Sequence, residues 1–230
     1  IQTIAHHHDF YWERDRFMIN AIQDYLNMAF PPVLPSITHV VINSVADAQL
    51  SLRTGVSAYV AFNVMDFENP PPPPDDYSSD VRAALGIADD ELFVLQPTRV
   101  VQRKGIEHAI ELVSRLGRKA KLVISHASGD EGHDYEQRLR EYSKLMNVDT
   151  RFVCEIINEK RGMTQDGRKI YTLEDIYPFA DLVTYPSTFE GFGNAFLEAV
   201  YFKKPVVVNA YSIYTKDIMP KGFSVIEIDG

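Results

Sequence analysis

Short runs of Val, Ile, Leu and Phe alternate along this chain with segments whose apolar residues recur every three or four positions. Strands are predicted at 92–98 (LFVLQPT), 120–126, 151–157, 181–186, 205–210 and 223–228, with helices between them at 105–116, 134–146, 173–180 and 193–202. Upstream, the runs 37–44 and 57–64 read as strands, and 45–55 as a short helix ended by Gly55. Residues 9–30 carry apolar positions at helical spacing up to Pro31 and Pro32, which predicts one long helix. Strands rich in branched aliphatics and alternating with helices indicate βαβ units. The predicted class is therefore α/β, with Rossmann-like parallel sheets covered on both faces. Such sheets bind ligands beyond the carboxyl ends of their strands, so each strand-to-helix loop is a candidate wall of a site. No internal repeat is visible.

The stretch ENPPPPPDD, residues 68–76, interrupts this rhythm. Five consecutive prolines cannot join a helix or a central strand and favour an extended spacer. The predicted organisation is a first Rossmann-like domain over 1–66, a linker over 67–76 and a second Rossmann-like domain over 77–230. The chain starts without Met in an apolar run and ends in VIEIDG, which reads as a strand. The expectation is a segment of a longer protein, holding the final third of the first domain and an incomplete second one.

Composition narrows the possibilities. Of 230 residues, 45% are hydrophobic and 24% charged, with a formal net charge of −9. An acidic chain is a poor general binder of nucleic acid or anionic membrane. No apolar run approaches the ~18 residues of a membrane span, and no signal peptide is evident, so the cytoplasm is expected. The single cysteine, Cys154, rules out an intrachain disulfide; its apolar neighbours predict that it is buried.

Three loops carry candidate chemistry. In PSTFEGFGNAFLEAV, 186–200, Gly191 and Gly193 flank Phe192 between Glu190 and Glu198. Glycines let backbone N–H groups approach a ligand, the start of the following helix at Asn194 favours anions, and carboxylates accept from sugar hydroxyls. In PTRVVQRKG, 97–105, Arg99, Arg103 and Lys104 gather in an otherwise acidic chain, where Arg99 and Lys104 suit a diphosphate. In AHHHDF, 5–10, three histidines follow an apolar run. Adjacent histidines rarely converge on one metal, so the better reading is a polar loop with one histidine facing the crevice.

Taken together, PTRVVQRKG and YPSTFEGFGNAFLEA resemble the retaining glycosyltransferases of family 4, which have the two-domain GT-B fold. FNVMDF, 62–67, is similar to that family's Asn-x-x-Asp turn, with Met65 where glycine or valine is more usual, and IAHHHD to its histidine loop. The likeness spans 1–8 and 37–230. It implies a nucleotide diphosphate sugar as donor and a hydroxyl acceptor. Arg99 and Lys104 would neutralise the departing diphosphate, and Glu198 would bind the ribose. Glu190 with Gly191, Phe192, Gly193 and Asn194 would hold the donor sugar. His6, with His8 as the rival, would approach the reacting carbon. It further implies transfer with retention and no metal or other cofactor. Two other readings share these loops: a GT-B sugar-nucleotide epimerase and a non-catalytic nucleotide-sugar-binding fragment. The isolated segment is expected to bind donor poorly and to catalyse nothing. Base, sugar, acceptor and oligomeric state are not legible.

Overall fold

The computed structural model describes residues 1–13, 22–128 and 133–228. The chain forms two compact units. The first comprises 1–64 with two later segments, 190–193 and 212–223; the second comprises 65–189, 194–211 and 224–230. The sequence break is thus at Val64, a few residues ahead of the proline run.

In the first unit, β1 (Thr3–His7), β2 (Ile37–Val41) and β3 (Tyr59–Val60) form a parallel sheet in that order among the described residues. Only two residues of the predicted strand 57–64 pair. The predicted long helix resolves into a 3-10 turn at Tyr11–Glu13 and α1 (Gln23–Ala29); positions 14–21 lie outside the described residues. The helix α2 (Ser44–Thr54) starts at Asn43, whose side chain accepts from the Ala46 N–H at 2.7 Å. Phe10, Trp12, Val41, Ala46 and Leu50 make the core here, and Trp12 donates to Gln49 at 2.8 Å. The two later segments join this unit through α2. Gly191 offers its carbonyl to Asn43, and the Asp217 carboxylate accepts from the Ser44 N–H at 2.8 Å.

The second unit begins with the short α3 (Val81–Ala84) and is built on six parallel strands among the described residues. They are β4 (Leu92–Gln96), β5 (Ala120–Ile124), β6 (Asp149–Phe152), β9 (Leu182–Tyr185), β10 (Val206–Asn209) and β11 (Ile226–Ile228). A hairpin of β7 (Gly162–Met163) and β8 (Lys169–Ile170) lies between β6 and β9 in sequence. The remaining helices are α4 (Ile106–Arg115), α5 (Asp134–Leu145), α6 (Leu173–Ile176) and α7 (Asn194–Tyr201). β10 is buried throughout and β4 nearly so, as strands covered on both faces must be. Val94, Ile106, Ile110, Leu122 and Leu139 fill one layer between sheet and helices. The predicted strand 151–157 is corrected: it ends at Phe152, and Cys154–Ile156 form a 3-10 turn. Cys154 is therefore exposed rather than buried in a strand. The foot of the proline run is pinned. Tyr77 donates its hydroxyl to the carbonyls of Gly162 and Ile170 at 2.8 and 2.9 Å, and Arg161 pairs with Asp75 at 2.6 Å and with Asp175.

The strand order is β11-β10-β9-β4-β5-β6, so the sheet grows one way from β4 and the other way from β9. Connections from these two central strands leave in opposite directions, which opens a crevice at their carboxyl ends. The loops there are tied together. Thr188 N–H donates to the Arg103 carbonyl at 2.9 Å, and the Arg103 guanidinium donates to the Phe189 carbonyl at 3.2 Å. Gly105 has φ 56°, and a Cβ on it would lie 2.4 Å from the Pro186 carbonyl oxygen. Gly105→Ala therefore meets both a left-handed backbone and a backbone atom that cannot step aside. It is expected to destabilise the protein by roughly 1–3 kcal/mol, read as a lower midpoint in denaturant melts. An unchanged midpoint would show that the loop pair yields freely.

Candidate active site

The loop after β4 carries the cations. Arg99 is exposed. Lys104 ends the 3-10 turn Gln102–Lys104 and is buried, its Nζ 5.4 Å from the ring centroid of Tyr185, the last residue of β9. A tyrosine face favours a cation at that distance. Beyond β5, the half-buried His126 has its Nδ1 2.7 Å from the Ser125 hydroxyl. Burial pushes the His126 pKa down first, and the charges of Arg99 and Lys104 push it further. His126 is thus a neutral hydrogen-bonding group at the edge of a positive field.

His126 also lines a cavity of about 620 Å³ within the second unit. Small-molecule sites run to roughly 300–1,000 Å³. Ser125, Cys154, Thr172, Tyr177 and Glu198 are among its other walls. Thr172 caps α6 reciprocally with Asp175, which fixes that wall. Tyr177 donates its hydroxyl to Glu198 Oε2 at 2.8 Å, and its ring stacks on Phe202. Burial raises the pKa of Glu198, and the Tyr177 hydrogen bond opposes the rise; burial and the Glu198 charge hold the Tyr177 pKa well above its usual value. Tyr177 keeps its proton and anchors one oxygen of Glu198, whose side chain lines the cavity.

The other candidates belong to the first unit. Along β1 the side chains alternate. His7 turns inward, and its Nε2 lies 2.9 Å from Nδ1 of buried His39, while His6 and His8 are exposed with ring centroids 4.7 Å apart. Burial, with His39 and His6 as lesser causes, lowers the His7 pKa. Glu190 and Phe192 are buried, and the Phe192 ring centroid is 5.7 Å from that of Phe62. A Cβ on Gly191 would lie 3.4 Å from the His8 carbonyl oxygen, so the histidine loop and the glycine loop meet.

Arg99, Lys104 and Glu198 therefore share the second unit, and Glu190, Gly191, Phe192, Gly193 and His6 belong to the first. Asn194 opens α7 and is exposed. Sequence reasoning missed Ser125, His126, Thr172 and Tyr177. A polar Ser-His pair at the end of a predicted strand was the available signal for two of them. Among the described residues, no three His, Cys, Asp or Glu side chains are gathered as a metal site would need, and no helix is long and apolar enough to cross a membrane.

Known proteins share both the sequence and the fold. The mannosylglucosylglycerate synthase of Petrotoga mobilis is 38% identical over 250 aligned residues, covering 99% of this chain and 57% of that protein. Its namesake from Thermotoga maritima is 33% identical over 243 residues, covering 98% of this chain and 55% of that protein. The chain thus spans about half the length of the curated relatives it matches. Among solved structures, Anabaena HepE, crystallised with UDP and glucose, superposes with a TM-score of 0.72 over 99% of this chain and 58% of that one, at 17% identity. That likeness establishes the fold, with parallel sheets of the GT-B type. The model of the family "Glycosyl transferases group 1" matches residues 78–222, from the end of the proline run to the segment that follows β10. The basic loop after β4 and the two glutamates of the 186–200 stretch all lie inside that match, and the chain belongs to the group 1 glycosyl transferases.

Proposed function

We propose that the whole protein is a retaining hexosyltransferase of family 4, moving a hexose from a nucleotide diphosphate sugar to an acceptor hydroxyl in the cytoplasm. One observation carries this reading. His126, in the cavity wall that also holds Glu198, lies within electrostatic reach of both Arg99 and Lys104. That supports a reading in which the cations for a diphosphate stand close to the cavity that Glu198 lines. In this reading Arg99 and Lys104 take the charge that builds on the leaving diphosphate, and Glu198 accepts from the ribose hydroxyls. Glu190 and the amides of 191–193 hold the transferred sugar, and His6 faces the reacting carbon. The acceptor oxygen attacks the anomeric carbon from the face that the diphosphate leaves. The carbon–oxygen bond to phosphate breaks with its electron pair going to the phosphate oxygen, which also takes the hydroxyl proton.

The names of the two bacterial relatives make a mannosyl donor and a glucosylglycerate acceptor the first pair to try. The test is product analysis with the full-length protein and a panel of mannosyl and glucosyl nucleotides. Expected is a hexosylated acceptor whose anomeric configuration, read by proton couplings, matches the donor's. Free sugar and nucleotide formed equally without acceptor would indicate an epimerase, and binding without turnover a non-catalytic module.

A charge-assisted contact contributes about 1.5–3 kcal/mol. Lys104→Ala should therefore weaken nucleotide diphosphate binding about ten-fold or more; unchanged affinity by calorimetry would remove Lys104 from the diphosphate site. The two glutamates should differ. A contact that strengthens in the transition state acts on kcat, and one equally strong in the ground state acts on KM. Glu190→Gln should lower kcat strongly, and Glu198→Gln should act more on donor KM, with melts to check folding. Swapped kinetic profiles would reverse the assignments. With two cations available for the leaving group, activity should persist in excess chelator. Loss of activity that magnesium or manganese restores would call for a metal.

A further inference from the structure

Asn43 makes two contacts with one side chain inside the first unit. Its Oδ1 accepts from the Ala46 N–H at 2.7 Å and caps α2, and its Nδ2 donates to the Gly191 carbonyl at 2.7 Å. The residue is 2% exposed, on extended backbone. An amide is planar, so with its oxygen held by the helix, the direction of its N–H donor follows from the helix frame. That frame is anchored in turn, since Asp217 accepts from both the N–H and the hydroxyl of Ser44, the first residue of α2.

The consequence falls on the glycine loop. Holding the Gly191 carbonyl sets the plane of the peptide between residues 191 and 192. In a trans peptide the N–H points opposite to the carbonyl, so the Phe192 N–H is aimed away from Asn43. Gly191 also packs beside the His8 carbonyl and Ile42, where an added Cβ would lie 3.4 Å from each.

We infer that Asn43 is a positioning residue for sugar transfer. Through the Gly191 carbonyl it orients the Phe192 N–H and sets where the Glu190 carboxylate stands. The inference rests on the proposed sugar-holding role of the 190–193 loop. The residue type carries the argument further. Serine, threonine and aspartate cap helices about as well as asparagine, but none offers an acceptor for the cap together with an amide donor. A residue needed only as a cap could be any of the four.

Asn43→Ser in the full-length protein separates the roles, because it keeps the cap and removes the amide. Asn43→Asp provides a second variant that also keeps the cap, and Asn43→Ala loses both. For Asn43→Ser the expected result is a kcat about ten-fold lower with donor KM within about two-fold, and only a small fall in melting temperature. Backbone hydrogen exchange, which needs no turnover, should quicken across 186–193 while α2 stays as protected as in wild type. The idea is overturned if loop exchange and kcat both match wild type. It is also overturned if α2 itself loses protection in Asn43→Ser as it does in Asn43→Ala, since the role is then that of a cap. A wild-type protein with no transfer activity would instead sink the proposed function, and the exchange comparison would still decide whether Asn43 holds the loop.

Discussion

Where the chain leaves β4 and β9, the Pro186 carbonyl oxygen occupies the space a side chain on residue 105 would need. This close approach lets the two loops at the sheet's switch point share hydrogen bonds from Arg103 and Thr188. The basic stretch from Arg99 to Lys104 is held against one loop wall, and the path toward Glu190 begins at the other. A parallel sheet provides the crevice, and the absence of a side chain at residue 105 lets the two loops come together at its edge.

The second sheet was legible because its inner strands are mostly apolar and buried. Runs such as LFVLQ and VVVN cannot be solvent-facing, and amphipathic helices separate them. What failed was the extent of the strands. In RFVCEII the apolar character runs on past the last paired residue, since Val153 and Ile156 are buried from a turn rather than from a strand. Hydrophobicity reports burial, and only hydrogen bonding distinguishes a strand from a buried turn. Cys154 was misjudged for that reason.

The candidate site was legible in part. Arg99, Lys104, Glu190 and Glu198 stand out because charge and glycine cluster in strand-to-helix loops. Tyr177 and Asn43 do not stand out, because their roles depend on contacts with residues distant in sequence. Tyr177 lies in the apolar string IYPFA, and nothing local marks its hydroxyl as the partner of a carboxylate 21 positions later. The histidine triplet shows the opposite problem. Three identical neighbours look equivalent in sequence, yet strand alternation sends His7 to His39 and leaves His6 and His8 exposed.

The chain passes into the first unit for the four residues 190–193 and returns at Asn194. The stretch from Glu190 to Glu198 is contiguous in sequence yet divided in allegiance, its first glutamate belonging with one unit and its second with the other. It is therefore not a cassette. Recombination that exchanged the second unit between two relatives would carry Glu198 across with its own tyrosine and cavity. An exchange of the continuous stretch 65–211 would instead carry the glycine loop along and set it against a resident Asn43, 148 positions away in sequence from Gly191. Because that amide reaches a backbone carbonyl, what the new loop must reproduce is a path of the chain rather than a side chain.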